Sequence, residues 1–189
     1  KNSFANIHSY FPMMLAKLAH QNKIQQLIHV SALGVDKAVD SKYAISKLNG
    51  EKNVLKYFNK SLILRPSIVY SIDDNFSTTF MTLLNRLPIF PIYYNGETKF
   101  TPIHCSDMTD IILNAIDNNI DSKIIECVGP EILSFKEILT ILLNSIGKKR
   151  FFLPFPLFAA KISAKILEIM PNPLLTSDQL KLLKYDNVI

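Results

Sequence analysis

The segment IQQLIHVSALGVDKAVDSKYAISK, residues 24–47, decides how the chain is read. Ile24 to Val30 is short and mostly apolar and ends at Ser31 and Gly34, the pattern of a buried parallel strand running into a turn. After a polar loop, Asp40 or Ser41 is placed to cap a helix that runs to about Phe58. The next segment, Ser61 to Arg65, is Ser-Leu-Ile-Leu-Arg and stops at Pro66. Upstream, Ile7, Phe11, Met14, Leu15 and Leu18 recur at helical spacing between about Phe4 and Gln21, and Pro12 is tolerable near a first turn. Helix, strand, helix, strand with short polar joints is the signature of right-handed crossover units in a parallel sheet.

Downstream, an Asp73-Asp74-Asn75 turn precedes a helix to about Leu87, and Pro88 and Pro91 enforce an extended stretch to an Asn95-Gly96 turn. A strand over Lys99–His104 follows, then a helix opened by Ser106 or Asp107 and reaching Asn118. Lys123 to Val128 reads as a strand ended by Gly129-Pro130. Ser134 with Glu137 is a capping box for a helix that ends at Gly147. The basic run Lys148-Lys149-Arg150 and Phe151 lead into an amphipathic helix to about Met170, bearing Lys161 and Lys165, and a short last helix starts at Thr176. The amphipathic stripe packs on its own domain, or lies on a membrane surface or a protein partner.

Composition narrows the function classes. The chain has 189 residues, is 48% hydrophobic and 20% charged, and can bury one sizeable core. Cys105 and Cys127 have neither metal-like nor redox-like spacing, which fits buried small hydrophobes in a reducing compartment. The net charge of +5 comes from dispersed lysines, with no arginine-rich arm, so nucleic acid is not an expected partner. No apolar run approaches the roughly 20 residues that span a bilayer. The set His104, Asp107 and Asp110 is better explained by a strand end and a helix cap than by a metal.

The chemistry centres on Ser31 at a strand end and on Tyr43 and Lys47 along the following helix. Residues four apart share a helix face, so phenol and ammonium project together toward the carboxyl edge of the sheet, where open α/β sheets bind ligands. A neighbouring ammonium is expected to lower the tyrosine from its ordinary value near ~10. With 7 tyrosines and 18 lysines, chance alone supplies about 0.7 such spacings, so context carries the reading. An exposed helical pair without any role is the competing reading.

Through His29-Val30-Ser31-Ala32-Leu33-Gly34, Lys42-Tyr43 to Lys47, Gly50-Glu51 and Leu64-Arg65-Pro66-Ser67-Ile68-Val69-Tyr70, the chain resembles the extended short-chain dehydrogenase/reductases, nearly end to end. Thr101-Pro102-Ile103-His104 with Asp107, Gly129-Pro130-Glu131, Phe135-Lys136-Glu137, Leu153-Pro154-Phe155-Pro156 and Asp186-Asn187-Val188 look most like its atypical branch. That branch contains the 39 kDa-type accessory subunit of NADH:ubiquinone oxidoreductase and bacterial relatives. The resemblance implies an α/β fold, a partial Rossmann-like doubly wound parallel sheet with a small, mostly helical carboxy-terminal lobe. The expected division is 1–128, the later part of an NAD(P)-binding domain, and 129–189, a substrate or partner lobe. It makes Tyr43 the acid/base, Lys47 the ribose-binding partner and Ser31 the substrate-orienting hydroxyl, with Pro66, Ser67 and Ile68 flanking the nicotinamide of NAD or NADP. His8 stands where many members have asparagine, and Ser71 where a glycine usually follows Tyr70.

The family's Gly-x-Gly-x-x-Gly turn is absent among only five glycines, and the sequence begins at Lys1 as if in a helix. An upstream half is therefore expected, and without it the strand ending at Ser31 would leave an apolar edge open and the fragment marginal and aggregation-prone. Three functions follow: an NAD(P)-dependent oxidoreductase, a non-catalytic nucleotide-binding accessory subunit of a respiratory assembly, or an inactive product of a split gene. The expected location is cytoplasmic, or peripheral on the inner face of an energy-transducing membrane.

Overall fold

The computed structural model describes residues 3–156 and 176–189. A π-helical turn, Asn6–Tyr10, runs into α1 (Phe11–Gln21), followed by β1 (Leu27–Val30), α2 (Lys42–Tyr57) and β2 (Ser61–Pro66). Then come β3 (Val69–Tyr70), α3 (Asn75–Arg86), β4 (Ile89–Ile92), β5 (Lys99–Phe100), β6 (Ile103–His104) and α4 (Cys105–Asp117). The described chain closes with β7 (Lys123–Cys127), β8 (Leu133–Ser134), α5 (Phe135–Ser145), β9 (Phe151–Pro154) and α6 (Ser177–Leu182).

The central sheet is parallel, in the order β1-β2-β7, with Leu27 opposite Ser61 and Leu62 opposite Lys123 at the start of each ladder. Strand β2 is buried along its whole length, and its side chains alternate between faces. Ile63 packs with Ala16, Ala19, Val54 and Phe58 of α1, α2 and the end of α2. Leu62 and Leu64 pack on the other side with Met108 and Ala115 of α4. Helices on both faces of a parallel sheet are the doubly wound arrangement expected from the sequence. A second core joins Leu84, Phe90 and Ile92 to Phe135, Leu139 and Leu143, with Phe152 against it.

Helix starts fall where capping chemistry puts them. Ser41 accepts from Ala44 N, Asp74 from Ser77 N, and Ser134 and Thr176 open complete capping boxes with Glu137 and Gln179. Three readings need correction. Lys99–His104 is two strands, because the ladder changes partner on either side of Thr101 and Pro102: β5 pairs antiparallel with β8, and β6 pairs parallel with β3. The helix expected to be opened by Ser106 or Asp107 begins at Cys105 with His104 as its cap, while the expected Asn95-Gly96 turn is present as a 3₁₀ turn with φ of 55° and 72°. Phe151–Pro154 is a strand, parallel to β4, which local periodicity did not announce.

The basic run before β9 also has a structural role. Arg150 Nε donates to Leu84 O at 2.8 Å and Nη2 to Asn85 O at 3.2 Å, while Lys148 binds the Asn85 side chain. Cations thus satisfy carbonyls at the end of α3. The amphipathic helix expected to reach Met170 lies outside the described residues.

Among the described residues β1 pairs only with β2, so its outer side is an open edge. Beside it α1 exposes Phe11 (56%), Met14 (45%), Leu15 (43%) and Leu18 (50%). A contiguous apolar stripe of that kind marks an interaction surface.

Candidate functional site

The loops leaving the carboxyl ends of β1 and β2 meet at the sheet's upper edge. Ser31 N donates to Leu64 O at 2.7 Å and Leu33 N to Pro66 O at 2.8 Å, which extends the ladder past the end of β1. Gly34 then turns the chain with φ of +74°, a region that costs an L side chain roughly 1–2 kcal/mol.

Helix α2 starts beneath this edge, and its amino terminus is held from a distant part of the chain. Asp178, in the first turn of α6, accepts from Lys42 N at 2.7 Å, Tyr43 N at 2.9 Å and Ser41 Oγ at 2.8 Å. One carboxylate therefore serves the positive ends of two helices. Further along α2, Gly50 passes against the π-helical turn so closely that a Cβ would lie 1.9 Å from His8 O. That approach sets His8 beside Tyr43: the two rings meet edge-on with centroids 5.2 Å apart, Phe4 stacks on His8, and His8 Nδ1 lies 3.0 Å from Ser46 Oγ.

The three residues singled out from sequence are brought to this edge in two groups. Lys47 Nζ donates to Val30 O at 3.2 Å, next to Ser31. Ser31 is 4% exposed, and its Oγ has no protein hydrogen-bond partner among the described residues. Tyr43, Pro66, Ser67 and Ile68 line a cavity of about 330 Å³, whereas Ser31 and Lys47 are not among its lining residues.

The electrostatics differ from the sequence expectation at one point. Burial pushes the Tyr43 phenol above its ordinary value, and no compensating influence of Lys47 on it is resolved. The ammonium points instead to the Val30 carbonyl, so desolvation decides the sign. Burial lowers Lys47 itself, and the Glu51 carboxylate one turn further along α2 pulls it back in part. His29, whose Nε2 is buried with no hydrogen-bond partner among the described residues, is lowered by burial and then by the Lys47 charge.

Two fastenings were not foreseen. Glu51, 2% exposed, takes Arg65 in a fork at 3.0 and 2.8 Å, and Arg65 Nη1 reaches Asp36 at 2.8 Å. The fork ties α2, the end of β2 and the loop after β1 into one unit. Asn187 bridges the same two loops: its Nδ2 donates to Leu33 O at 2.7 Å, its Oδ1 accepts from Ser67 Oγ at 2.6 Å, and its N donates to Lys99 O at 2.7 Å. Gly50-Glu51, Arg65 and the Asp186-Asn187 pair stood out as motif residues, but their partners did not. His104 is the cap of α4, its Nδ1 accepting from Ser106 N at 3.3 Å. Among the described residues no group of three or more His, Cys, Asp or Glu is arranged to hold a metal.

Comparison with known proteins finds no matching family model. A Dictyostelium discoideum protein named NADH dehydrogenase (ubiquinone) 1 alpha subcomplex subunit 9, mitochondrial, is 27% identical over 76% of this chain and 39% of its own length. The Arabidopsis thaliana protein of the same name is 24% identical over 99% of this chain and 50% of its own. The chain spans about half the length of the curated relatives it matches. Among solved structures, the dTDP-glucose 4,6-dehydratase of Streptomyces venezuelae with NAD bound superposes with a TM-score of 0.67 and 19% identity, covering 80% of this chain and 54% of that one. A dTDP-4-dehydrorhamnose reductase of Bacillus anthracis in complex with NADP gives 0.67 and 16%, covering 94% and 70%. At such identities the structural matches establish the fold alone. The sequence relatives are named as NADH:ubiquinone oxidoreductase subunits, and the fold is the Rossmann-like one shared with these dehydratase and reductase structures. No helix among the described residues is long and apolar enough to cross a membrane.

Proposed function

For a chain with these relatives and this fold, we propose that it is the nicotinamide-facing part of an NAD(P)-binding oxidoreductase-like protein, completed by an upstream half that carries the glycine-rich turn. The observation that carries this reading is the arrangement at the end of β1: a buried, unpartnered Ser31 hydroxyl beside the Lys47 ammonium, with Tyr43 one turn earlier on the same helix. The residues fit the nicotinamide-ribose end of such a cofactor. Lys47 would hold the ribose, Tyr43 would border it, and the backbone at Pro66, Ser67 and Ile68 would flank the ring. When bound, nicotinamide supplies a hydride donor or acceptor. Burial holds the Tyr43 phenol protonated and makes it a weaker acid than a free tyrosine. Its Oη would hydrogen-bond a substrate oxygen and give up its proton only to a strongly basic oxygen such as a developing alkoxide, and Ser31 Oγ would orient a substrate carbonyl. The open edge of β1 and the exposed stripe of α1 suit the strand and helices of the upstream half.

Saturation-transfer NMR with reduced nicotinamide mononucleotide tests this on the chain as it stands, since that half of the cofactor needs no glycine-rich turn. Millimolar binding that Lys47→Ala and Tyr43→Phe both weaken is expected. Absence of transfer, or binding indifferent to Lys47→Ala, would overturn the assignment.

A second reading, a non-catalytic nucleotide-binding subunit of a respiratory assembly at a membrane face, is favoured by the contact of the Tyr43 ring with the stacked Phe4 and His8 rings, the engagement of Lys47 by Val30 and the names of the relatives. Under it, Tyr43→Phe leaves co-purification with a membrane NADH dehydrogenase unchanged. The oxidoreductase reading requires instead that the same variant abolish turnover.

A further inference from the structure

The cavity beside Tyr43 has a lining that selects against the ligands its fold commonly serves. Its volume of about 330 Å³ lies at the low end of small-molecule pockets, about 300–1,000 Å³. Four phenylalanines that pack on one another, Phe76, Phe80, Phe100 and Phe135, line it together with Ile68 and Leu182. Among the described lining residues a nucleoside diphosphate would find no lysine, arginine or histidine to replace the water around its phosphates. The sole carboxylate of the lining, Asp186, already accepts from Lys99 N at 2.9 Å. Ser67 and Asn187 are bonded to each other, and the Asn187 amide is bonded to Leu33 O, so these polar groups are satisfied within the protein.

We propose that this cavity binds a neutral, largely apolar small molecule bearing one carbonyl or hydroxyl, with the aromatic wall taking its body and Tyr43 facing its polar end. The inference takes the polar end of the ligand from the proposed role of Tyr43, but the binding itself needs no nicotinamide. The two can therefore fail separately.

The chain has no tryptophan, so Phe76→Trp places a single indole at the cavity wall. The probe is prodan, an uncharged naphthalene ketone that brightens and shifts to the blue in apolar surroundings. Saturable binding is expected, with energy transfer from the F76W indole and displacement by 2-decanone but not by UDP-glucose. Phe76→Lys should weaken prodan at least tenfold, and Thr79→Lys, exposed on the same helix and outside the lining, should not. Should Phe76→Lys fail to fold by circular dichroism, energy transfer in F76W decides. Four results would overturn the proposal: no saturable binding, binding without energy transfer, equal displacement by UDP-glucose, or equal weakening by the two lysine variants. Prodan binding without any binding of reduced nicotinamide mononucleotide would leave this inference standing and remove the cofactor reading.

Discussion

Replacing Glu51 by glutamine removes the charge from the fork that joins α2 to β2 while keeping its shape. The carboxylate is 2% exposed and makes two bonds to Arg65, whose side chain is 9% exposed. Breaking one partner of a buried pair costs about 3–5 kcal/mol, because the remaining charge is left uncompensated. Here Asp36 still faces Arg65 but is 49% exposed, so solvent weakens its compensation and places the loss near the lower figure, about 3 kcal/mol. For a chain of this length that is a fall in Tm of roughly 6–12 °C, measurable by circular dichroism or urea titration. The same change removes the one influence resolved as raising Lys47. In dimethyl-lysine NMR, the Lys47 resonance should therefore titrate at lower pH in Glu51→Gln than in the parent. The double replacement Glu51→Leu with Arg65→Met, which leaves no buried charge, should recover most of the stability. A loss below 1 kcal/mol in Glu51→Gln, or an unmoved Lys47, would refute the view that this fork is an electrostatic fastening of the site.

Asp178→Asn should lower stability by about 1–2 kcal/mol in urea titration, since it withdraws a charged acceptor from the starts of α2 and α6. Gly50→Ala should cost about 1–3 kcal/mol by overpacking against His8 O and should alter the His8 ring environment in NMR. His29 is held below its ordinary value, so the unfolded chain binds the extra proton. Stability is then lost as pH falls below about 6.5. His29→Leu should flatten that acid limb between pH 7 and 5 in thermal melts, and an unchanged limb would assign it to other groups.

Local structure was legible because its signals are local. Ser41, Asp74, Ser134 and Thr176 each satisfy a backbone group three residues on, and β2 announces its burial through Leu62-Ile63-Leu64. The placement of Tyr43 and Lys47 on one helix followed from spacing alone. The protonation of Tyr43 did not, because it is decided by burial beneath Phe4 and His8, which no spacing in α2 encodes. The pairing of β4 with β9 and the reach of Asp178 to α2 were hidden for the same reason: each joins residues far apart in the chain.

Asn187 and Leu33 are separated by 154 positions, and Ser67 and Asn187 by 120. Contacts of such span form late in refolding, after the entropy of closing the intervening loop has been overcome. The cavity beside Tyr43 should therefore mature last, as a slow phase behind the rapid gain of helix, and an intermediate with a finished sheet but a gaping pocket would be the species most exposed to clipping near residue 187.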